Sequence, residues 1–171
     1  MNVTVPTTIT IGMKMVRVKG LGDSVFEGQK IQKVVITEEG VLTIGKKAFK
    51  NCTALKSVSL NRKTVSIGAE AFSGCKSLTS IDLPDGLKEI SASLMKGCSS
   101  LSGSVYISKN AKKIGSGAFD GCAKIRTVMV YSNVTSVEAN AFRGCNNINK
   151  VYYAGPKYKC CLLYTSPSPR D

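Results

Sequence analysis

Apolar residues in this chain return on a fixed beat, with polar residues filling the gaps. In residues 55–75 the apolar positions are Leu55, Val58, Leu60, Val65, Ile67, Ala71 and Phe72, and Cys75 closes the set. Val58-Ser59-Leu60 alternates as a short strand with one buried face, and Asn61-Arg62-Lys63-Thr64 reads as a polar turn. Val65 and Ile67 predict a second short strand that ends at Gly68. Ala71 and Phe72 then face inward from a tight turn. The same order precedes this stretch as Ile31, Val34, Ile36, Val41, Ile44, Ala48-Phe49 and Cys52. It follows as Leu78, Ile81, Leu83, Leu87, Ile90, Leu94-Met95 and Cys98; then Leu101, Val105, Ile107, Ile114, Ala118-Phe119 and Cys122; then Ile125, Val128, Val130, Val134, Val137, Ala141-Phe142 and Cys145.

Two ladders fix the register. The chain's phenylalanines are Phe26, Phe49, Phe72, Phe119 and Phe142, and 49−26, 72−49 and 142−119 each give 23. Met95 stands in the one long gap, 23 after Phe72 and 24 before Phe119. Cys52, Cys75, Cys98, Cys122 and Cys145 follow three residues behind, spaced 23, 23, 24 and 23. One short unit is therefore repeated, and a unit of about 23 residues cannot enclose its own apolar face; neighbouring coils must complete the burial. Equivalent side chains would then stack at about 4.8 Å in internal columns. The single extra residue near Gly103-Ser104 predicts a bulge. Val16, Val18, Leu21-Gly22, Val25-Phe26 and Gly28-Gln29 form a degraded unit. Ahead of it, Val3, Val5-Pro6, Ile9 and Ile11 suggest an opening hairpin or edge coil, since terminal units meet water on one side.

Composition narrows the chemistry. The 171 residues include 24 Lys plus Arg against 11 Asp plus Glu and no His, a net charge of +13. Without His, triads built on Ser-His or Cys-His are excluded, and the commonest metal ligand is missing. No C-x₂₋₄-C pairing of the zinc-site kind occurs among the five spaced cysteines. Neighbouring rungs would hold their Cβ atoms farther apart than the roughly 3.5–4.5 Å of a disulfide. The ladder cysteines thus read as buried thiols acting as small hydrophobes. Gly115-Ser116-Gly117 and Gly20-Leu21-Gly22 lack phosphate-loop spacing, and their glycines read as turn positions needing permissive backbone angles. Carboxylates such as Glu38-Glu39 and Asp82-Asp85 fall in turns or on an exposed face, with no second carboxylate across a cleft. We expect no catalytic, cofactor or metal site. The turn after the strand carries Glu38-Glu39, then Arg62-Lys63, Asp85 and Lys109. This alternation suits registering coils against one another and does not suit tracking a phosphate backbone.

The string L-x-x-[IV]-x-[IVL], followed by V-x-x-I-G-x-x-A-F-x-G-C, resembles the BspA-type leucine-rich repeat. Residues 31–153 carry it clearly and residues 16–30 weakly, and Val151-Tyr152-Tyr153-Ala154-Gly155 resembles a segment that closes such arrays. The resemblance implies a right-handed leucine-rich-repeat solenoid of mostly short parallel β-strands with tight or 3-10 turns. It also implies a surface or secreted protein of bacteria or parasitic protists, non-catalytic and concerned with adhesion and protein binding. The partner would be a protein or polysaccharide on a host or neighbouring cell surface, with no specific nucleic acid and no membrane insertion. No run of about 18 apolar residues suggests a membrane span, and MNVTVPTTIT lacks the basic and apolar regions of a secretory leader.

Three segments are expected: an irregular edge and first repeat at 1–30, repeats with their closing segment at 31–159, and a tail at 160–171. Cys161-Leu162-Leu163-Tyr164-Thr165-Ser166-Pro167-Ser168-Pro169-Arg170-Asp171 back-translates in one frame into a transposase-type sequencing adapter. It is read as translated adapter rather than native sequence, and the source nucleotide read decides this. On the outer face of the predicted sheet one row runs Val35, Ser59, Asp82, Tyr106, Met129 and Tyr152, and a second runs Thr37, Asn61, Pro84, Ser108 and Tyr131. Tyr106, Met129, Tyr131 and Tyr152 would form one aromatic and thioether patch, the expected binding surface. A passive rigid spacer is the competing expectation, in which cross-strand aromatics only stabilise the sheet.

Overall fold

The computed structural model describes residues 1–6, 8–11, 14–36, 42–154 and 160–162. Thr37, Glu38-Glu39, Val41, Gly155-Pro156 and most of the 160–171 tail lie outside the described residues. None of the described residues is helical. The chain forms β1 (Asn2–Val5), β2 (Thr8–Ile11), β3 (Lys14–Arg17), β4 (Gly20–Leu21) and β5 (Lys33–Ile36). Next come β6 (Thr43–Ile44), β7 (Ser57–Ser59), β8 (Ser66–Ile67), β9 (Glu89–Ile90) and β10 (Ser102–Tyr106). The remaining strands are β11 (Lys113–Ile114), β12 (Lys124–Tyr131), β13 (Ser136–Val137), β14 (Lys150–Ala154) and β15 (Cys160–Leu162).

These strands wind into a parallel solenoid of about six turns. We number the coils one to six by the turns at Phe26, Phe49, Phe72, Met95, Phe119 and Phe142. The broader strands make one side: β1-β5-β7 in the first half and β10-β12-β14-β15 in the second. Two-residue strands make a second side, β4-β6-β8 and then β9-β11-β13. The opening segment does both things its sequence suggests. β1 joins the broad sheet parallel to β5, and β2 pairs with β3 as an antiparallel hairpin.

Two observations depart from an unbroken sheet. The register of β10 on β12 shifts between Gly103 and Ser104, where the extra residue predicts a bulge. In coil four the broad sheet shrinks to a single bridge between Ser57 and Ser80. The aromatic-bearing strands thus form a sheet of their own, β10 in coil five, β12 in coil six and β14 in the winding that follows.

The columns are present. Phe49, Phe72, Met95 and Phe119 are fully buried, and the end members Phe26 and Phe142 are half-buried. Phe26 stacks on Phe49 and Phe49 on Phe72 at 5.3 Å between ring centroids, and Phe119 on Phe142 at 5.2 Å. Met95 carries the column between the two runs of rings, a place its unbranched side chain fills readily.

One column differs from its expected membership. Val65 is exposed, and Thr64 is fully buried at the place held by Leu87 and Ala111 in the next coils. The buried side chain stands three residues before the isoleucine in each case, so the strand pattern begins one residue earlier than Val65. Asn61, Pro84 and Ser108 are likewise buried, so their row turns under the sheet and is not part of its outer face. Val137 was also expected inside and is 56% exposed.

Turns close with i+3 hydrogen bonds, for example Cys75 N–H to Phe72 O at 3.2 Å. Two backbone positions per turn are left-handed. Just before each Gly-Cys cysteine the residue is Asn51 in coil two and Gly74, Gly97, Gly121 and Gly144 in the later coils, with φ of 58° to 77°. Glycine and asparagine enter this region at least cost. Two residues before each column aromatic, however, stand Ser24, Lys47, Glu70, Ser93, Gly117 and Asn140, with φ of 52° to 62°. Gly115, by contrast, is not left-handed. A Cβ there would lie 2.7 Å from Ala92 N of the coil before, so close approach of the chains requires that glycine.

Candidate functional site

The five ladder cysteines are the densest set of reactive atoms in the repeat. All five are free and buried. Each Sγ donates to the carbonyl of the column aromatic or methionine one coil back. Cys52 reaches Phe26 O at 3.0 Å. Cys75, Cys98, Cys122 and Cys145 reach Phe49, Phe72, Met95 and Phe119 O, each at 3.1 Å. The same carbonyl also takes the N–H three residues on in its own turn, Gln29 for Phe26 and the next ladder cysteine for the others, so both of its lone pairs are used. Burial pushes the thiols of Cys75 and Cys122 up to about 12 and Cys145 to about 11, and raises Cys52 and Cys98 as well. Thiols held protonated are poor nucleophiles and poor metal ligands. Among the described residues no three His, Cys, Asp or Glu side chains come together as a metal site.

Charge is used between coils. Asp120, almost buried, sits between Lys96 at 3.7 Å and Arg143, whose guanidinium donates to both carboxylate oxygens at 3.0 and 2.7 Å. The Arg143 hydrogen bonds hold the Asp120 carboxyl below its usual range, against a smaller opposing effect of burial. Lys109 pairs with Asp85 at 3.1 Å, as the alternating turn charges suggest, and Lys113 with Glu138 at 2.8 Å. Lys50 also pairs with Glu70. Every one of these pairs joins adjacent coils.

The outer face of the broad sheet remains. Tyr106 pairs in register with Met129, and Met129 with Tyr152, so the three side chains stand in one row across β10, β12 and β14. Tyr106 is 55% exposed; Met129 and Tyr152 are half-buried by their neighbours. Tyr131 lies two residues on, opposite Ala154, in the row whose members Asn61, Pro84 and Ser108 are buried, and it is itself half-buried. It borders the patch rather than crowning it. Along the same outer row coils two to four carry Val35, Ser59 and Asp82, of which Ser59 and Asp82 are exposed. Tyr106, Met129 and Tyr152 therefore share one row across β10, β12 and β14, with Tyr131 in the neighbouring row of β12. The thiol-to-carbonyl bonds and the Asp120 clamp had no sequence signature beyond the spacing of the columns themselves.

A family model, the BspA type leucine rich repeat region, matches residues 19–149 in six copies. Among solved structures, the chain is similar to the T. pallidum leucine rich repeat protein, at 27% identity and a TM-score of 0.76, over 90% of this chain and 72% of that one. It also shares its fold with a leucine rich cell surface protein of Faecalibacterium prausnitzii A2-165, at 24% identity and a TM-score of 0.69. That likeness spans 92% of this chain but only 48% of the Faecalibacterium chain. No curated protein matches the sequence. The repeat, its spacing and its copies together establish that the chain belongs to the BspA-type leucine-rich repeat family.

Proposed function

We propose that this solenoid is a non-catalytic recognition module of a surface or secreted protein, binding a partner protein through the outer face of the β10-β12-β14 sheet. The observation that carries the reading is the contiguous row Tyr106, Met129 and Tyr152, bordered by Tyr131, on strands held rigidly by the columns beneath. Tyrosine and methionine are enriched where binding surfaces lose water. Free thiols are unusual in an oxidising exterior, and here burial and hydrogen bonding would protect each of the five. The test measures binding of the wild-type chain and of Tyr106→Ser with Tyr152→Ser to immobilised cell-surface glycoproteins, with polysaccharides as the second arm. Binding should weaken about tenfold or more while the melting temperature stays within about 2 °C. Intact binding together with a large stability loss would overturn the reading.

A rigid spacer is the second reading, favoured by the polar Ser59 and Asp82 on the same outer row. A spacer would show no difference between the wild type and the tyrosine variants against any probe.

A further inference from the structure

One edge of the solenoid carries cations and no anions. Each winding enters the broad sheet over a buried or half-buried apolar residue: Ile31, Leu55, Leu78, Leu101, Ile125 and Ile148. Within two residues of these positions stand Lys30, Lys33, Lys56 and Lys76, and then Lys124, Arg126 and Lys150. None of the chain's 11 Asp plus Glu falls in the same windows. All seven cations are exposed, and none is ion-paired among the described residues. Elsewhere the surface behaves oppositely, and Lys50, Lys109, Lys113 and Arg143 each meet a carboxylate of a neighbouring coil. Cations on neighbouring windings repel one another, so the packing of coils does not favour gathering them on one edge.

Backbone bonds hold this edge in line. Lys56 N–H donates to Gln32 O at 2.8 Å, Thr79 N–H to Lys56 O at 3.3 Å, Ser102 N–H to Thr79 O at 3.1 Å and Asn149 N–H to Arg126 O at 3.0 Å. Equivalent positions therefore recur along the solenoid axis at about 4.8 Å per winding. The bulge alters the edge at one place. Ser102 pairs with Lys124, Gly103 with Ile125 and Ser104 with Thr127, so Arg126 has no opposite residue in β10. Bulges re-aim side chains, and here Arg126 joins Lys124, Ser102, Gly103 and Asn147 around a notch of about 400 Å³. Gly103 adds no side chain to fill it.

We infer that this edge binds a linear acidic polysaccharide laid along the solenoid axis, with one of its anionic groups in the notch between Lys124 and Arg126. A polymer whose charges recur along its length matches an edge whose cations recur from winding to winding; a single small anion would need the notch alone. Arg126 offers a planar fork and Lys124 a point charge to a carboxylate or sulfate. Between the cations the edge carries Ser77, Thr79, Ser99, Ser102, Asn147 and Asn149, donors and acceptors suited to sugar hydroxyls. The same windows hold no aromatic side chain on which a base could stack, so a polysaccharide fits them better than a single-stranded nucleic acid. This surface is separate from the row Tyr106, Met129 and Tyr152, and the inference goes beyond that row without resting on it.

Biolayer interferometry of the full 171-residue chain on immobilised heparin, polygalacturonate and dextran tests it. The wild type should bind at least one of the two charged polymers, more weakly as salt rises, and should not bind neutral dextran. Preference for heparin assigns the anionic group as sulfate, and preference for polygalacturonate as carboxylate. Lys124→Glu with Arg126→Glu should weaken binding about tenfold or more; if that variant fails to fold, Lys124→Gln with Arg126→Gln takes its place. Lys88→Glu with Lys112→Glu lowers the net charge equally at exposed positions on the narrow-strand side, and should leave the affinity within about twofold. Equal losses in the two variants overturn the inference, as does a wild type that binds neither charged polymer. Tighter binding to a single-stranded oligonucleotide or to polyglutamate also overturns it, and assigns the edge to a nucleic acid or an acidic protein. Tyr106→Ser with Tyr152→Ser should keep the polysaccharide, so the two surfaces succeed or fail separately; its loss there would move the polymer to the tyrosine row and overturn the edge.

Discussion

Ile90 in coil four and Val137 in coil six hold the same place in the repeat, and one is fully buried while the other is mostly open to water. Met95 and Phe142 differ likewise, and so do Leu94 and Val25 at the two sides of the array. Each pair holds the same place in the repeat and is apolar in both coils. What differs is whether a coil lies on both sides. Burial in this molecule is therefore a property of the neighbour count of a coil and only secondarily of its residues.

The sharpest way to break that comparison is to remove a ring at each place. Phe72→Ala should cost about 3–5 kcal/mol, as a fully buried aromatic does, because the coils on both sides lose contact. Phe142→Ala should cost about half as much, since one face of the ring is already open. Urea denaturation reads both, and equal losses would mean that the last coil is packed as tightly as the middle.

Thiol reactivity sharpens the same contrast in a rate. In a background with Cys160→Ser and Cys161→Ser, Cys75 and Cys122 should resist iodoacetamide at pH 8 by about a thousandfold relative to a free cysteine. Within the ladder Cys145, at about 11, should react before Cys75 and Cys122, at about 12. Peptide mapping of the alkylated sites gives the order.

The smallest effect is electrostatic. The Asp120 carboxyl is held below its usual range by Arg143. A depressed folded value means that its contribution is fully present above the unfolded value, about 4, and fades as pH falls through the folded one. The melting temperature of Asp120→Asn should therefore lie about 2 °C below wild type at pH 7, a modest gap because Arg143 is solvent-exposed. That gap should close by about pH 2. A gap independent of pH would assign the difference to packing.

Much of this was legible in the chain because a repeat writes its columns as spacings. The Phe26-to-Phe142 and Cys52-to-Cys145 ladders, the parallel coils and the Gly103-Ser104 bulge all follow from counting. The losses have a common cause. Thr64 and Ala111 fill core positions without looking apolar enough to be counted, and Asn61 and Ser108 are buried although their residue types suit an exposed turn. The thinning of the sheet to one bridge at coil four accompanies no break in the beat. The tyrosine row was legible as a place, since alternation alone assigns Tyr106, Met129 and Tyr152 to one face. Tyr131 was harder, because whether a strand's last residue stays on the face depends on how the chain bends beyond it.

The left-handed residue that stands before each column aromatic has a consequence for how small such a protein can be. Serine, lysine, glutamate and asparagine all hold φ between 52° and 59° there, a conformation that disfavours an ordinary side chain by about 1 kcal/mol. Nothing in the serine, lysine or glutamate side chains selects it; packing against neighbouring windings imposes it. A peptide holding only one winding would let that residue relax to the right-handed side and lose the bend with it. Shortening the array from either end should thus be tolerated until too few windings remain to hold the bend, and then fail abruptly rather than by degrees.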